Sequence, residues 1–219
     1  MTKPSTPDDL AAALAELPLL PLPDTVLFPA ALLTLEVGEK RHRALVQAAL
    51  DRHGALAVAQ PAIPPTAAAT RPPLRPIAGV GTIVEHAPLS GSRDRLVVIG
   101  RARVKLQELS FVAPFRRALA TVLPCPECQV PERELMAMHA AAAGFTALLR
   151  RREPDFRLRL PAGGSAGALA DACADQLVVD PKQRQAALEA LDVRMRVRLV
   201  TEVLTIQQAT LGPEGQSTN

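Results

Sequence analysis

The sequence contains no tryptophan and no tyrosine, and its five aromatic residues, 2% of the chain, are all phenylalanine. Hydrophobic residues still make up 48%, enough for a core, so that core is expected to be aliphatic. The same scarcity leaves few platforms on which single-stranded nucleic acid could stack. Three cysteines in 219 residues form no disulfide framework, and the odd number fits a reducing compartment. No run of about 18 apolar residues occurs, so no helix is expected to span a membrane. Met1 to Asp9 lacks the apolar segment and cleavage pattern of a secretory signal. Together these absences predict a cytoplasmic protein without a membrane partner.

Motifs that carry chemistry are equally thin. There is no Gly-Lys pair, hence no G-x-x-x-x-G-K-[ST] phosphate loop, and no G-x-G-x-x-G between a strand and a helix. No cofactor is expected. Gly163-Gly164-Ser165-Ala166-Gly167 has the form of a nucleophile elbow, and Phe156, Leu158 and Leu160 before it alternate like a strand. No histidine follows His139, so Ser165 has no downstream general base, and the motif reads as a glycine-rich helix start. Cys125-Pro126-Glu127-Cys128 is half of a zinc site; adding His139 gives three ligands at most, so no metal site is expected. The chain is read as a non-enzyme. Its net charge of +3 comes from 25 basic and 22 acidic residues interspersed along the chain, the pattern of an ordinary solvated surface.

What is present begins at Leu17. Through Val46 the chain reads LPLLPLPDTVLFPAALLTLEVGEKRHRALV, an aliphatic run interrupted by Pro18, Pro21, Pro23 and Pro29. Proline keeps such a segment out of a helix and suits a strand near a sheet edge. Pro23-Asp24-Thr25 predicts a turn. Leu33, Leu35 and Val37 alternate with Thr34 and Glu36 as in a half-buried strand, which Gly38 stops. A helical period then puts His42, Leu45, Val46, Ala49 and Leu50 on one face. Ala55 to Ala59 is a short apolar strand. Residues 61–76 hold six prolines and predict a loop. Gly79 to His86, Leu96 to Ile99, Val104 to Leu109 and Phe115 to Leu123 predict further strands, with a hairpin at Ser90 to Asp94 and a break at Gly100.

Pro124 to Pro131 carries three prolines in eight positions, and the composition changes beyond it. Leu135, Met138, Ala142, Phe145, Leu148 and Leu149 recur at helical spacing, with Glu132 and Glu134 at the start and Arg150 to Arg152 at the end, as the helix dipole favours. Ala166 to Val178 predicts a second helix. Asp180-Pro181-Lys182-Gln183 is a helix-start signal, and Asp192 caps a last helix with a stripe of Val193, Val197, Val200, Leu204 and Leu211. The expected organisation is a flexible tail (1–14), a β-rich domain (15–124), a linker (125–131), a helical bundle (132–211) and a disordered tail (212–219). The expected fold class is α+β: a β pseudo-barrel with an early helix, followed by a C-terminal α-helical bundle.

The opening stretch resembles the start of the substrate-binding N-terminal domain of Lon proteases. The likeness rests on Leu17-Pro18, Pro21-Leu22-Pro23, Val26-Leu27-Phe28-Pro29, Leu32 to Val37, and Glu39 with Arg41. It continues in Gly79 to Val84, Val97 to Arg103, Pro114 to Ala118, Leu177 to Gln185 and Leu188 to Val193, spanning about residues 15–211. Ala30 stands where that family usually has glycine, and Gly38 and His42 where it has aromatics. The resemblance implies a PUA-like barrel and a stand-alone module without the ATPase and Ser-Lys peptidase of a full Lon protease. It implies binding to unfolded or exposed protein segments, with Phe28, Pro29, Glu39, Arg41 and His42 as the candidate peptide-binding residues. It also implies an adaptor role beside a separate protease or ATPase. RNA is the alternative partner, because PUA-like folds also bind it.

Overall fold

The computed structural model of the chain describes residues 7–63, 71–126 and 128–211. Residues 1–6 of the expected N-terminal tail, the middle of the proline-rich loop and the tail 212–219 lie outside them. The chain divides into two compact units, Met1–Leu123 and Pro124–Asn219. The first contains α1 (Pro7–Ala13), β1 (Leu17–Pro21), β2 (Leu32–Val37), α2 (Lys40–Leu50), β3 (Ala55–Ala59), β4 (Ile77–Leu89), β5 (Arg93–Glu108) and β6 (Arg116–Val122). The second contains α3 (Glu132–Arg152), α4 (Ala166–Leu177), α5 (Pro181–Glu189) and α6 (Val193–Leu211). No helix among the described residues is long and apolar enough to cross a membrane.

The sheet runs β2-β5-β4-β3-β1-β6, and an additional β5–β6 pairing closes five of the strands into a ring. β5 makes this possible by changing partner. Its first half, Asp94 to Ile99, lies opposite β2, and its second half, Val104 to Glu108, lies opposite β6. β1 and β3 are parallel; the other pairings are antiparallel. β3 is buried on both faces, with Ala55, Ala57 and Ala59 in one apolar cluster and Leu56 and Val58 in another. Leu45, Val46 and Ala49 of α2 join the second cluster. The core is aliphatic, as expected from the missing aromatics.

Three expectations are corrected. β1 is not at a sheet edge but lies between β3 and β6. Its prolines are tolerated because of where they fall. The Leu22 amide donates to the Ala59 carbonyl at 3.1 Å, so even-numbered residues of β1 face β3 and odd-numbered ones face β6. Pro18 thus faces β3 before that pairing begins at Leu19, and Pro21 faces β6 after that pairing has ended. Gly100 does not break a strand either; β5 runs through it. A Cβ at Gly100 would sit 1.9 Å from the Phe28 carbonyl oxygen, and one at Gly79 would sit 1.9 Å from that of Leu27. These glycines let the Val26-Leu27-Phe28-Pro29 segment lie directly on the sheet. Finally, Phe156 to Leu160 forms no strand. The Gln176 side chain satisfies Arg159 instead, accepting from its amide at 2.9 Å and donating to its carbonyl at 2.7 Å.

The helix ends follow local chemistry. Ser165 Oγ accepts from the Ala168 amide at 3.3 Å, so the serine of the G-x-S-x-G pattern is a helix cap. Asp180 accepts from the Lys182 amide at 3.0 Å ahead of Pro181, and Asp192 accepts from the Met195 amide at 2.8 Å. Met138, Ala142 and Phe145 of α3 are buried, as are Val193, Val197, Val200 and Leu204 of α6. Among them sits Arg196, 1% exposed and the largest fully buried side chain of the described residues.

Candidate functional site

The candidate residues Phe28, Pro29, Glu39, Arg41 and His42 flank β2, the first two before it and the others after it. Six strand residues span about 20 Å, so the two groups cannot line one pocket. They bracket a strand.

Before β2, Phe28 is completely buried, with the Arg103 guanidinium 5.9 Å from its ring. It builds the barrel and offers no ring atom to a client. Pro29 is half-buried and Ala30 exposed. Ala30 has φ 62°, a left-handed conformation that suits glycine, and its amide donates to the Gly100 carbonyl at 2.9 Å. After β2, Arg41 Nε donates to Glu39 Oε2 at 2.7 Å in an exposed pair. His42 is half-buried, and burial pushes its imidazole below the ordinary value, with Glu39 opposing that shift.

β2 itself has one unpaired side: among the described residues it pairs with no strand except β5. The Gly100 amide donates to the Ala31 carbonyl at 2.9 Å, which sets the odd-numbered residues toward β5. The backbone N–H and C=O groups of Thr34 and Glu36 therefore point to the open side. Leu32 is 60% exposed. Across the ladder it stands opposite Ile99, and Thr34 opposite Val97, both half-buried, so an apolar shelf adjoins the open edge. At the other end of the strand, Arg93 Nη1 donates to Glu36 Oε2 at 3.0 Å, the kind of edge charge that discourages uncontrolled pairing.

A second apolar exposure was not predicted. The turn between β5 and β6 presents Leu109, Phe111 (42% exposed) and Val112 (58%), with the Arg71 guanidinium 4.1 Å from the Phe111 ring centroid. Val112 bridges Phe115 across the cis Ala113–Pro114 bond. The available signal was the apolar Phe111-Val112 pair just before a proline, out of step with the alternation of either strand.

The family model for the substrate-binding domain of ATP-dependent protease La (Lon) matches residues 16–205. The chain belongs to the Lon substrate-binding domain family. It is similar to the Lon protease of Heliobacterium modesticaldum, 24% identical over 93% of this chain and 25% of that one. It is also similar to Lon protease 2 of Herpetosiphon aurantiacus, 31% identical over 90% and 25%. The chain thus spans about a quarter of the length of these Lon proteases. The fold is shared with the N-terminal domain of the Mycobacterium avium complex Lon protease, with TM-score 0.65, 22% identity, and 87% of this chain against 98% of that one. It is also shared with a Lon N-terminal domain protein from Xanthomonas campestris, with TM-score 0.61, 17% identity, and 85% against 97%. Among the described residues, β2 is the strand that pairs along its whole length with one neighbour only, β5.

Proposed function

We propose that the chain binds protein clients as extended segments added to the open edge of β2, and that it catalyses no reaction on them. The carrying observation is that edge: backbone groups of Thr34 and Glu36 that no other described strand pairs, beside an apolar shelf of Leu32, Val97 and Ile99. Main-chain hydrogen bonds accept any sequence, and the shelf favours apolar side chains at alternate positions, which together select unfolded segments. Pro29 and Ala30 flank the Leu32 end of this edge, and Glu39, Arg41 and His42 flank the other. Phe28 contributes by seating the segment that leads into β2. Such binding leaves unfolding and cleavage to a separate ATPase or protease, beside which the chain would act as an adaptor. An RNA partner is disfavoured by local charge matching: Arg41, Arg43, Arg93 and Arg95 are paired with Glu39, Asp94, Glu36 and Glu85.

The test titrates a fluorescent, carboxymethylated, permanently unfolded protein with the chain and follows anisotropy. Thr34→Pro removes an edge N–H that the β5 ladder does not use, and Leu32→Asp puts a charge on the shelf. Both are expected to weaken binding at least about tenfold, about 1.4 kcal/mol, with melting temperatures near that of the parent. Undiminished binding by both variants, or binding that RNA displaces with a steep salt dependence, overturns the reading.

A further inference from the structure

The three cysteines occupy different environments. Cys173 is 1% exposed inside α4, and burial pushes its thiol up to about 11, which makes it unreactive. Cys125 and Cys128 lie in the segment that leads into α3, Cys125 half-buried and Cys128 exposed. Their C-x-x-C spacing allows one sulfur to attack the other within the same segment. The start of α6 reaches Cys125: Arg196 Nη2 donates toward its Sγ at 3.6 Å. Arg196 also donates to Asp171 Oδ1 at 3.0 Å and to the carbonyls of Ala190 at 2.9 Å and Leu191 at 3.4 Å. Cys125 is thus the fourth contact of a buried guanidinium that ties α4 to the turn before α6.

We propose that Cys125 and Cys128 form a reversible thiol–disulfide pair, oxidised by low-molecular-weight disulfides, whose reduced state is the one Arg196 holds. The exposed Cys128, as thiolate, attacks one sulfur of R–S–S–R, forming a mixed disulfide and releasing RS⁻. The Cys125 thiolate then attacks the Cys128 sulfur, closing the Cys125–Cys128 disulfide and releasing a second RS⁻. The two cysteine protons end on the two RSH molecules. The cysteine pair is oxidised by two electrons and the small disulfide is reduced by two. In the disulfide, Cys125 is a poorer acceptor for Arg196, so oxidation weakens one contact of the guanidinium while Asp171 and the two carbonyls keep theirs.

The experiment equilibrates the full chain with mixtures of reduced and oxidised glutathione, quenches with acid, alkylates the free thiols and maps the peptides by mass spectrometry. The expected product is an intrachain Cys125–Cys128 disulfide that excess reduced glutathione reopens, with Cys173 alkylated only after denaturation. In the reduced protein Cys128 is expected to alkylate faster than Cys125. Cys125→Ser is expected to stop at glutathione on Cys128, which separates the two steps. Thiols that stay free in excess oxidised glutathione, disulfide-linked dimers, a pair that includes Cys173, or glutathione left unresolved on Cys128 in the parent chain each overturn the proposal.

Discussion

The two units solve one problem, an almost aromatic-free core, by opposite means. In the β unit the chain comes closer to itself. Alanines line one face of β3, and Gly79 and Gly100 let the carbonyls of Leu27 and Phe28 rest on the sheet where a side chain would otherwise stand. In the helical unit small residues cannot bring the helices together everywhere, and the long side chain of Arg196 fills the space, satisfied by Asp171 and two carbonyls. The first solution is dry and intolerant of added atoms. The second is polar and intolerant of lost partners. Volume is supplied by backbone in one case and by a guanidinium in the other.

That contrast can be broken at both ends. Arg196→Met keeps bulk but removes the guanidinium that pairs with Asp171, and it is expected to cost about 3–5 kcal/mol in urea unfolding, part of which a second change, Asp171→Leu, restores. A loss below about 1 kcal/mol would mean that the helices do not depend on the guanidinium. Gly100→Ala is expected to cost about 3 kcal/mol, because the new methyl meets backbone that cannot move aside. If its denaturation midpoint matches that of the parent, the close approach of Phe28 is not a constraint.

Two substitutions should stabilise. Burial raises Asp175 to about 6 from 3.8, with Arg184 opposing the shift and Asp171 adding to it. The folded state therefore holds this proton longer than the unfolded state does. The stability cost of ionising Asp175 is absent below pH 3.8, grows as pH rises toward about 6, and is complete above it. Asp175→Asn removes that cost, which should add on the order of 2 kcal/mol at pH 7 and flatten the melting temperature across that pH window. An unchanged slope would point to another group. Smallest is Ala30→Gly, which relieves a left-handed alanine and should add about 1 kcal/mol. It acts on the segment before β2, so its client affinity also measures how firmly that edge is set.

Much of the local structure was legible. The alternation of Leu33, Leu35 and Val37 located β2, five consecutive small or aliphatic residues marked β3, and Asp180 and Asp192 announced the starts of α5 and α6 through side chains that reach their own helix amides. These signals act over three or four residues, within the reach of one side chain. The V-L-F-P and Glu-x-Arg motifs bracket the edge on which we propose client binding, but the arrangement of that edge was not legible. Phe28 is internal, and the residues that present an edge, Leu32, Thr34 and Glu36, carry no motif of their own.

By itself, the sequence determined most of the strand and helix segments, that the core is aliphatic, and which family the chain resembles, since each depends on local pattern or on motif identity. Only the tertiary structure decided which strand lies in the middle and which at the edge. Pro18 and Pro21 suggested an edge for β1, yet closure of β6 onto β1 and of β5 onto β6 buried it and left β2 with an open side. The reason is that pairing joins residues distant in sequence, Leu17 with Ala118, through hydrogen bonds that every peptide unit can make. Nothing in a strand's own side chains states which partner will claim its backbone.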